Sequence, residues 1–262
     1  MKSKISVTLD EALLREIDAL VDGIRIRNRS QAIEFLVRKG LAERKTAVIL
    51  AGGEAKRLRT SGTYKFLLPY KNKPAIEHAV LSLRKNGFKE IIVIGRKAVL
   101  SEIFKVIGNG NGYGVEIKYI EEGEERPVTK QDTARTLKHA MGVIRKPFLC
   151  MYCDVLFDFP LSDAWNFHVK GESVATLLVK ANPQPEKWGN VRMEGNVVKE
   201  FIEKPGKSEN YLIYTGMFIA SPELLSQPGN SLEYEIFPRL ARKGMLTGYL
   251  ISGFCEHVDK LE

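Results

Sequence analysis

Hydrophobic and polar positions change period along this chain in a way that separates two regions. Residues 4–9, KISVTL, alternate strictly, with Ile5, Val7 and Leu9 on one side and Lys4, Ser6 and Thr8 on the other, which predicts a half-buried strand. Asp10 then supplies a helix N-cap, and Leu13, Leu14, Ile17, Leu20 and Val21 recur at helical spacing until Asp22 and Gly23 break the pattern. After a basic turn, Asn28 caps a second helix with Gln31 three residues on, and its apolar face is Ala32, Ile33, Leu36, Val37 and Leu41. A strand and two helices in about 45 residues bury too little surface to stand alone, so residues 1–44 are expected to associate with a second copy.

From residue 46 onward, short apolar runs alternate with helical stretches. Residues 48–50, 91–94, 115–120 and 148–153 read as strands, and residues 76–86 and 133–144 as helices. That order predicts a second domain, 46–262, of α/β class with a mostly parallel sheet covered by helices. Ligands of such sheets bind at the carboxyl ends of the strands. At that edge the run Val48, Ile49, Leu50 stops at Gly52 and Gly53, whose missing side chains let backbone N–H groups approach an anion. Lys56, Arg57, Arg59 and Lys65 follow and suit a polyphosphate. Asp154 ends the segment FLCMYCD, where a carboxylate after a buried strand is costly unless a cation accompanies it, so it is a candidate metal ligand.

Composition adds bounds to this pattern. With 262 residues, 44% hydrophobic and 27% charged, the chain has room for a sizeable core and one or two domains. A net charge of +8 suits a polyanionic partner, a balance shared by nucleotide enzymes and DNA binders. Three cysteines, Cys150, Cys153 and Cys255, are too few and oddly numbered for a disulfide framework. Strand alternation places Cys150 and Cys153 on opposite faces, which points to core packing and not to metal binding. No signal peptide opens the chain and no window approaches the roughly 20 apolar residues of a membrane span, so a soluble, cytoplasmic protein is expected.

The glycine loop fits neither the Walker spacing nor the Gly-x-Gly-x-x-Gly dinucleotide spacing. The stretch TAVILAGGEAKRLRTSGTYKFLLP instead resembles the signature of the sugar-1-phosphate nucleotidylyltransferases, Leu-Ala-Gly-Gly-x-Gly-Thr-Arg-Leu followed by Pro-Lys and a second Pro. Leu50, Ala51, Gly52, Gly53, Arg57, Leu58, Lys65 and Pro69 match; Ala55, Lys56 and Tyr64 depart. The resemblance implies a Rossmann-like nucleotidyltransferase domain in which Leu50 to Gly53 and Lys56 hold the nucleotide, Arg57 stabilises the leaving pyrophosphate and Lys65 contacts the α-phosphate. It also implies that Asp154 binds Mg²⁺.

Further segments resemble the same family. QDTARTL matches a base-contacting segment at Thr133, Ala134 and Leu137 and departs at Asp132, Arg135 and Thr136, which leaves Gln131 as the candidate base contact. WGNV and EFIEKP match the sugar-phosphate elements, implying Gly189 under the sugar, Glu203 on its hydroxyls and Lys204 on its phosphate. By the same likeness Thr215, in TGMF, and Glu233 line the sugar pocket. GFCEHVDKLE resembles the segment of the second metal ligand. One register puts His257 there and another Asp259, and the preference of Mg²⁺ for oxygen favours Asp259.

Residues 3–44 resemble a ribbon-helix-helix DNA-binding domain, a small β-α-α module that pairs its strands across a homodimer. That implies Lys4, Ser6 and Thr8 facing bases, Ser30 and the amides around it holding a phosphate, and Arg27 and Arg29 adding backbone contacts. The alternative is a segment that only dimerises an enzyme. Together the resemblances imply transfer of a nucleotidyl group from a nucleoside triphosphate to a sugar 1-phosphate, giving an NDP-sugar and pyrophosphate. Two alternatives stay open: a non-sugar acceptor such as a choline or polyol phosphate, and a transcriptional regulator that uses the domain as a sensor.

Overall fold

The computed structural model describes residues 6–42, 45–53, 58–60, 62–123 and 132–261, the side chains of 38–42 excepted. The chain divides into two units, Met1–Arg44 and Lys45–Glu262.

In the front unit both helices start at the capping residues expected of them. Asp10 accepts the Leu13 N–H at 2.8 Å at the head of α1 (Glu11–Asp18). Asn28 accepts the Gln31 N–H at 3.0 Å at the head of α2 (Arg29–Ala42), and Gln31 accepts the Arg27 N–H at 2.7 Å in return. Helix α1 stops short of Val21 because the Asp22 carboxylate gathers the N–H groups of Ile24, Arg25 and Ile26 into a turn. Arg29 bridges the helices through two bonds to Asp18, of 2.5 and 2.7 Å. Among the described residues of this unit only Ile17 and Ala32 are buried hydrophobics, while Leu13, Phe35, Leu36 and Val37 are exposed. The expected strand needs correcting: residues 6–10 carry none in the single chain, and Lys4 and Ile5 lie outside the described residues. A lone strand has no ladder to satisfy its backbone groups.

The larger unit begins as expected. Strands β1 (Lys45–Ala51), β2 (Phe88–Gly95), β3 (Glu116–Glu121) and β4 (Phe148–Tyr152) pair in parallel in the order β3-β2-β1-β4. The inner strands β1, β2 and β4 are largely apolar on both faces, while the edge strand β3 exposes Glu116 and Lys118. Ile49, Ile91, Val93 and Met151 pack beneath α3 (Ala75–Lys85) and α4 (Lys97–Ile107), through Ile76, Leu83 and Ile103. Val48, Ile92, Ile94 and Cys150 pack on the other side with Leu137 of α5 (Thr133–Lys138), Phe218 and Phe237. Cys153 falls in the first cluster and Cys150 in the second, so the two thiols do sit on opposite faces. The helix expected over 133–144 ends at Lys138, ahead of a turn at Gly142, whose φ is +87°.

Beyond β4 the sheet changes character. Strands β5 (Ala175–Ala181), β6 (Gly189–Glu194), β7 (Val197–Glu203), β8 (Leu212–Ala220) and β9 (Leu246–Leu250) complete it. Strand β8 runs antiparallel to both β4 and β5, β9 runs parallel to β5, and the β6–β7 hairpin attaches through Asn190↔Ile213 and Val197↔Thr247. The sheet is therefore mixed, which corrects the expectation of a mostly parallel one. The physical reason is visible at Gly195 and Asn196: two residues can join antiparallel neighbours, whereas a parallel crossover needs a dozen or so.

Candidate active site

The carboxyl ends of β1 and β4 lie side by side, since Leu50 pairs with Tyr152 and the Cys153 N–H donates to the Leu50 carbonyl at 3.1 Å. The Gly52–Gly53 turn and Asp154 thereby reach the same cleft, a space of about 1210 Å³. Leu50, Gly52 and Gly53 line it, with Ala51 buried behind them. Only glycine fits at position 52, because a Cβ there would stand 2.5 Å from Glu122 Oε2 and 2.6 Å from Thr136 Cγ2. Glu122 is the brace beneath the turn: buried at the end of β3, it accepts the Gly53 N–H at 3.1 Å and the Thr136 hydroxyl at 2.6 Å, with Arg96 Nε at 3.9 Å. Lys56, Arg57 and Gln131 lie outside the described residues.

A short ladder delivers the acidic centre. Residues Phe254–His257 pair antiparallel with Val155–Asp158, His257 opposite Val155, and the Val258 N–H donates to the Asp154 carbonyl at 2.8 Å. The next turn, Val258–Lys260, swings Asp259 back over the cleft. Both residues weighed from sequence reach the neighbourhood of Asp154: one ligand atom each of Asp154, His257 and Asp259 lies within 4.8 Å of the others. Lys65 Nζ stands 2.9 Å from Asp259 Oδ2 and 3.7 Å from Asp154 Oδ2, and His257 Nδ1 stands 3.3 Å from Asp154 Oδ1. Burial works to raise the Asp154 carboxyl, but His257 and then Lys65 outweigh it and hold the group below its usual value. Burial works equally to lower the Lys65 ammonium, and the two aspartates hold it above its usual value. Two carboxylates converging on a cationic position form a hard-oxygen donor set that fits Mg²⁺.

Across the cleft, Gly189 pairs with Glu203 between β6 and β7. Lys204 follows at a left-handed φ of +48°, with its ammonium 3.6 Å from Glu203 Oε1. Non-glycine backbone of that kind is costly and concentrates at functional positions. Glu233, on a single π-helical turn Leu232–Ile236, is buried and accepts bonds from Thr133 (2.6 Å), Ser231 (3.3 Å) and the Tyr152 hydroxyl. Trp188 stacks obliquely on His257 with ring centroids 5.1 Å apart. Thr215 is placed differently: it is buried, donates to the Leu178 carbonyl at 2.9 Å and does not line the cleft.

Sequence reasoning missed Glu122, Tyr152 and Lys260, all close to this site. Glu122 had a usable signal, because it follows a parallel strand at the same edge as Asp154. In the front unit Ser6, Thr8, Arg27, Arg29 and Ser30 are exposed, Arg29 being engaged by Asp18, and Lys4 lies outside the described residues. Among the described residues no helix is long and apolar enough to cross a membrane.

Comparison with known proteins agrees with this geometry. The Nucleotidyl transferase family model matches residues 46–248. The mannose-1-phosphate guanylyltransferase catalytic subunit beta of Danio rerio is 31% identical over 215 residues, 79% of this chain and 59% of that protein. The mannose-1-phosphate guanyltransferase of Yarrowia lipolytica is 32% identical over 219 residues, 79% of this chain and 58% of that protein. The chain therefore spans about three-fifths of the length of these relatives. Among solved structures, a candidate glucose-1-phosphate thymidylyltransferase from Bacillus anthracis, in complex with sucrose, superposes with a TM-score of 0.70 at 24% identity, covering 81% of this chain and 89% of that one. With a family match across most of its larger unit, a glycine turn and an acidic centre at one sheet edge, the chain belongs to the nucleotidyl transferase family.

Proposed function

We propose that this chain transfers a nucleotidyl group from a nucleoside triphosphate to a sugar 1-phosphate, releasing pyrophosphate and forming an NDP-sugar. The observation that carries this reading is the meeting of Lys65, Asp154 and Asp259 beside the Gly52–Gly53 turn, with Glu203 and Lys204 across the same cleft. Phosphoryl chemistry depends chiefly on in-line positioning and charge neutralisation, and those groups supply both. A sugar phosphate oxygen attacks the α-phosphorus. Lys65 neutralises the α-phosphate, Arg57 with Lys56 the departing pyrophosphate, and Lys204 the attacking phosphate. His257 orients the Asp154 carboxylate through Nδ1. Magnesium held by Asp154 and Asp259 would lower the charge repulsion between nucleotide and acceptor. Gly189, Glu203 and Glu233 form the sugar end, and Gln131 is the candidate base contact.

The relatives' names put GTP and mannose 1-phosphate first in the test. Pyrophosphate release is measured across four nucleoside triphosphates with hexose 1-phosphates, choline phosphate and polyol phosphates. Release that depends on a hexose 1-phosphate supports the reading. Turnover only with a phosphorylated alcohol changes the acceptor class, and silence with every pair, alongside ligand-dependent DNA binding, favours a sensor.

The front unit favours a second role. Its exposed Phe35, Leu36 and Val37, with only Ile17 and Ala32 buried hydrophobics among the described residues, are what a module completed by its own second copy would present. In that ribbon-helix-helix reading Lys4, Ser6 and Thr8 face bases, while Arg27, Arg29 and Ser30 hold phosphates. Selection from random duplexes should enrich a pseudo-palindrome bound with steep salt dependence, and enrichment of nothing rejects the DNA-binding role.

A further inference from the structure

Beyond Gly253 little backbone pairing is available to place Asp259. The stretch Phe254–His257 has four residues on a single partner strand, Val155–Asp158, and a two-stranded ladder of that length is weak by itself. Other ties hold it from one side. The Val258 N–H donates to the Asp154 carbonyl at 2.8 Å, Val258 packs with Leu156 and Ala75, and the Phe254 ring stacks on Tyr70 with centroids 5.6 Å apart.

A different kind of contact reaches the same stretch from the large sheet. Lys180, near the end of β5, donates through Nζ to the Cys255 carbonyl and to the Glu256 carboxylate. Only 16% of the Lys180 side chain and 33% of the Glu256 side chain are exposed. An ammonium withdrawn from water to that degree is costly unless it is hydrogen-bonded and paired, and this one is both. Glu256 lines the cleft beside His257, whereas Lys180 does not line it. The backbone that carries the lysine is itself held on both sides. Strand β5 pairs with β8 and β9, Lys180 stands opposite Ile213, and the Val179 carbonyl accepts the Ile251 N–H at 2.9 Å. The apolar ties dock the stretch as a whole. The ammonium instead fixes one carbonyl and one carboxylate just before the turn Val258–Lys260, and so sets the direction in which the chain enters it.

Resting on the nucleotidyl-transfer reading for what the cleft does, we infer that Lys180 is a positioning residue for the cation site: its joint contact with Cys255 and Glu256 holds Asp259 in place opposite Asp154. Groups that hold a metal ligand from behind in this way typically matter about 10- to 100-fold in metal affinity or activity.

Lys180→Met combined with Glu256→Gln removes the pair and leaves the net charge unchanged, so a change in cation affinity reports position. Mn²⁺ binding to the full chain, followed by electron paramagnetic resonance, should weaken about tenfold. Lys180→Arg, which keeps the charge and the donors, should bind Mn²⁺ as the wild type does. With Asp259→Asn added, the paired variant should bind no more weakly than Asp259→Asn alone, because Lys180 acts through Asp259. Unchanged Mn²⁺ affinity in the paired variant, or a full additional loss on top of Asp259→Asn, overturns the inference. The ladder, the Val258 bond and the Tyr70 stack all remain, so the paired variant should fold. If it does not, Lys180→Gln with Glu256→Gln takes its place; the shorter amide reaches at most one of the two partners, and wild-type affinity there overturns the inference equally. In turnover the paired variant should lose about tenfold in kcat with the acceptor KM unchanged. If no pair of triphosphate and acceptor turns over in the wild type, the proposed reaction fails, and the Mn²⁺ series still decides the role of Lys180.

Discussion

Lys65 and Asp259 meet at 2.9 Å although 193 residues separate them in sequence, and Asp154 stands 3.7 Å from the same ammonium. A lysine placed between two carboxylates offsets one of their two negative charges at the end of the sheet. Each carboxylate there would otherwise carry a desolvation cost with no partner. The same arrangement places one ammonium and two carboxylates in the cleft beside the glycine turn. Local structure explains it: Asp154 lies two residues past the end of β4, the ladder of Phe254–His257 on Val155–Asp158 fixes the C-terminal segment beside it, and the turn after Tyr64 supplies Lys65.

Asp154→Asn and Asp259→Asn should each lower nucleotidyl transfer by about a thousandfold or more, as expected when a charge that organises phosphates is removed. Mn²⁺ affinity, followed by electron paramagnetic resonance, should fall in both variants. Near-normal pyrophosphate release from Asp154→Asn would reject its assignment as a ligand.

Gly52→Ala should displace the turn, because the new Cβ has nowhere to go but into Glu122 and Thr136. The expected cost is about 1–3 kcal/mol of stability together with a nucleotide KM raised at least tenfold. Glu122→Gln should raise the nucleotide KM in the same direction with little change in the acceptor KM. Equal shifts in the two KM values would mean that Glu122 does not act through the glycine turn.

A pH effect on stability should come from His168, well inside the fold. It is 2% exposed, with Nδ1 2.9 Å from the Thr176 hydroxyl and Nε2 3.3 Å from that of Ser221. Burial pushes its pKa down from 6.5 to about 4. The folded state thus binds the proton less well than the unfolded chain, so the stabilisation is present above pH 6.5 and is lost as pH falls towards 4. The loss should be about 3 kcal/mol across that window. Denaturant unfolding at pH 7 and pH 4 should show the wild type losing that much more than His168→Gln, and parallel losses would contradict it.

Self-association should reside in the front unit. Phe35→Glu combined with Val37→Glu should convert a dimer to monomers in sedimentation velocity, while transfer per chain stays unchanged. A wild-type protein that is monomeric at micromolar concentration would reject the expectation.

Much of this molecule was legible in the sequence where one local rule decided the outcome. Asp10 and Asn28 both cap helices, and the doubly buried runs through Ile49, Val93 and Met151 are parallel strands. The second half was harder to read. Parallel and antiparallel strands share the same apolar look when both faces are buried, so the mixed sheet beyond Tyr152 could not be recovered from periodicity alone. Site residues held by tertiary contact were equally hidden. Glu122 is one of several acids in EEGEE; its place after a parallel strand was a usable signal, but its role as a brace shows only in its bonds to Gly53 and Thr136.

The most direct measurement is a crystal structure of the full chain with a non-hydrolysable nucleoside triphosphate and Mg²⁺. The account predicts the triphosphate across the Gly52–Gly53 turn, with the metal between its phosphates and the carboxylates of Asp154 and Asp259, and with Lys65 turned from Asp259 towards the α-phosphate. A triphosphate bound away from those two aspartates, with Lys65 still paired to Asp259, would contradict it.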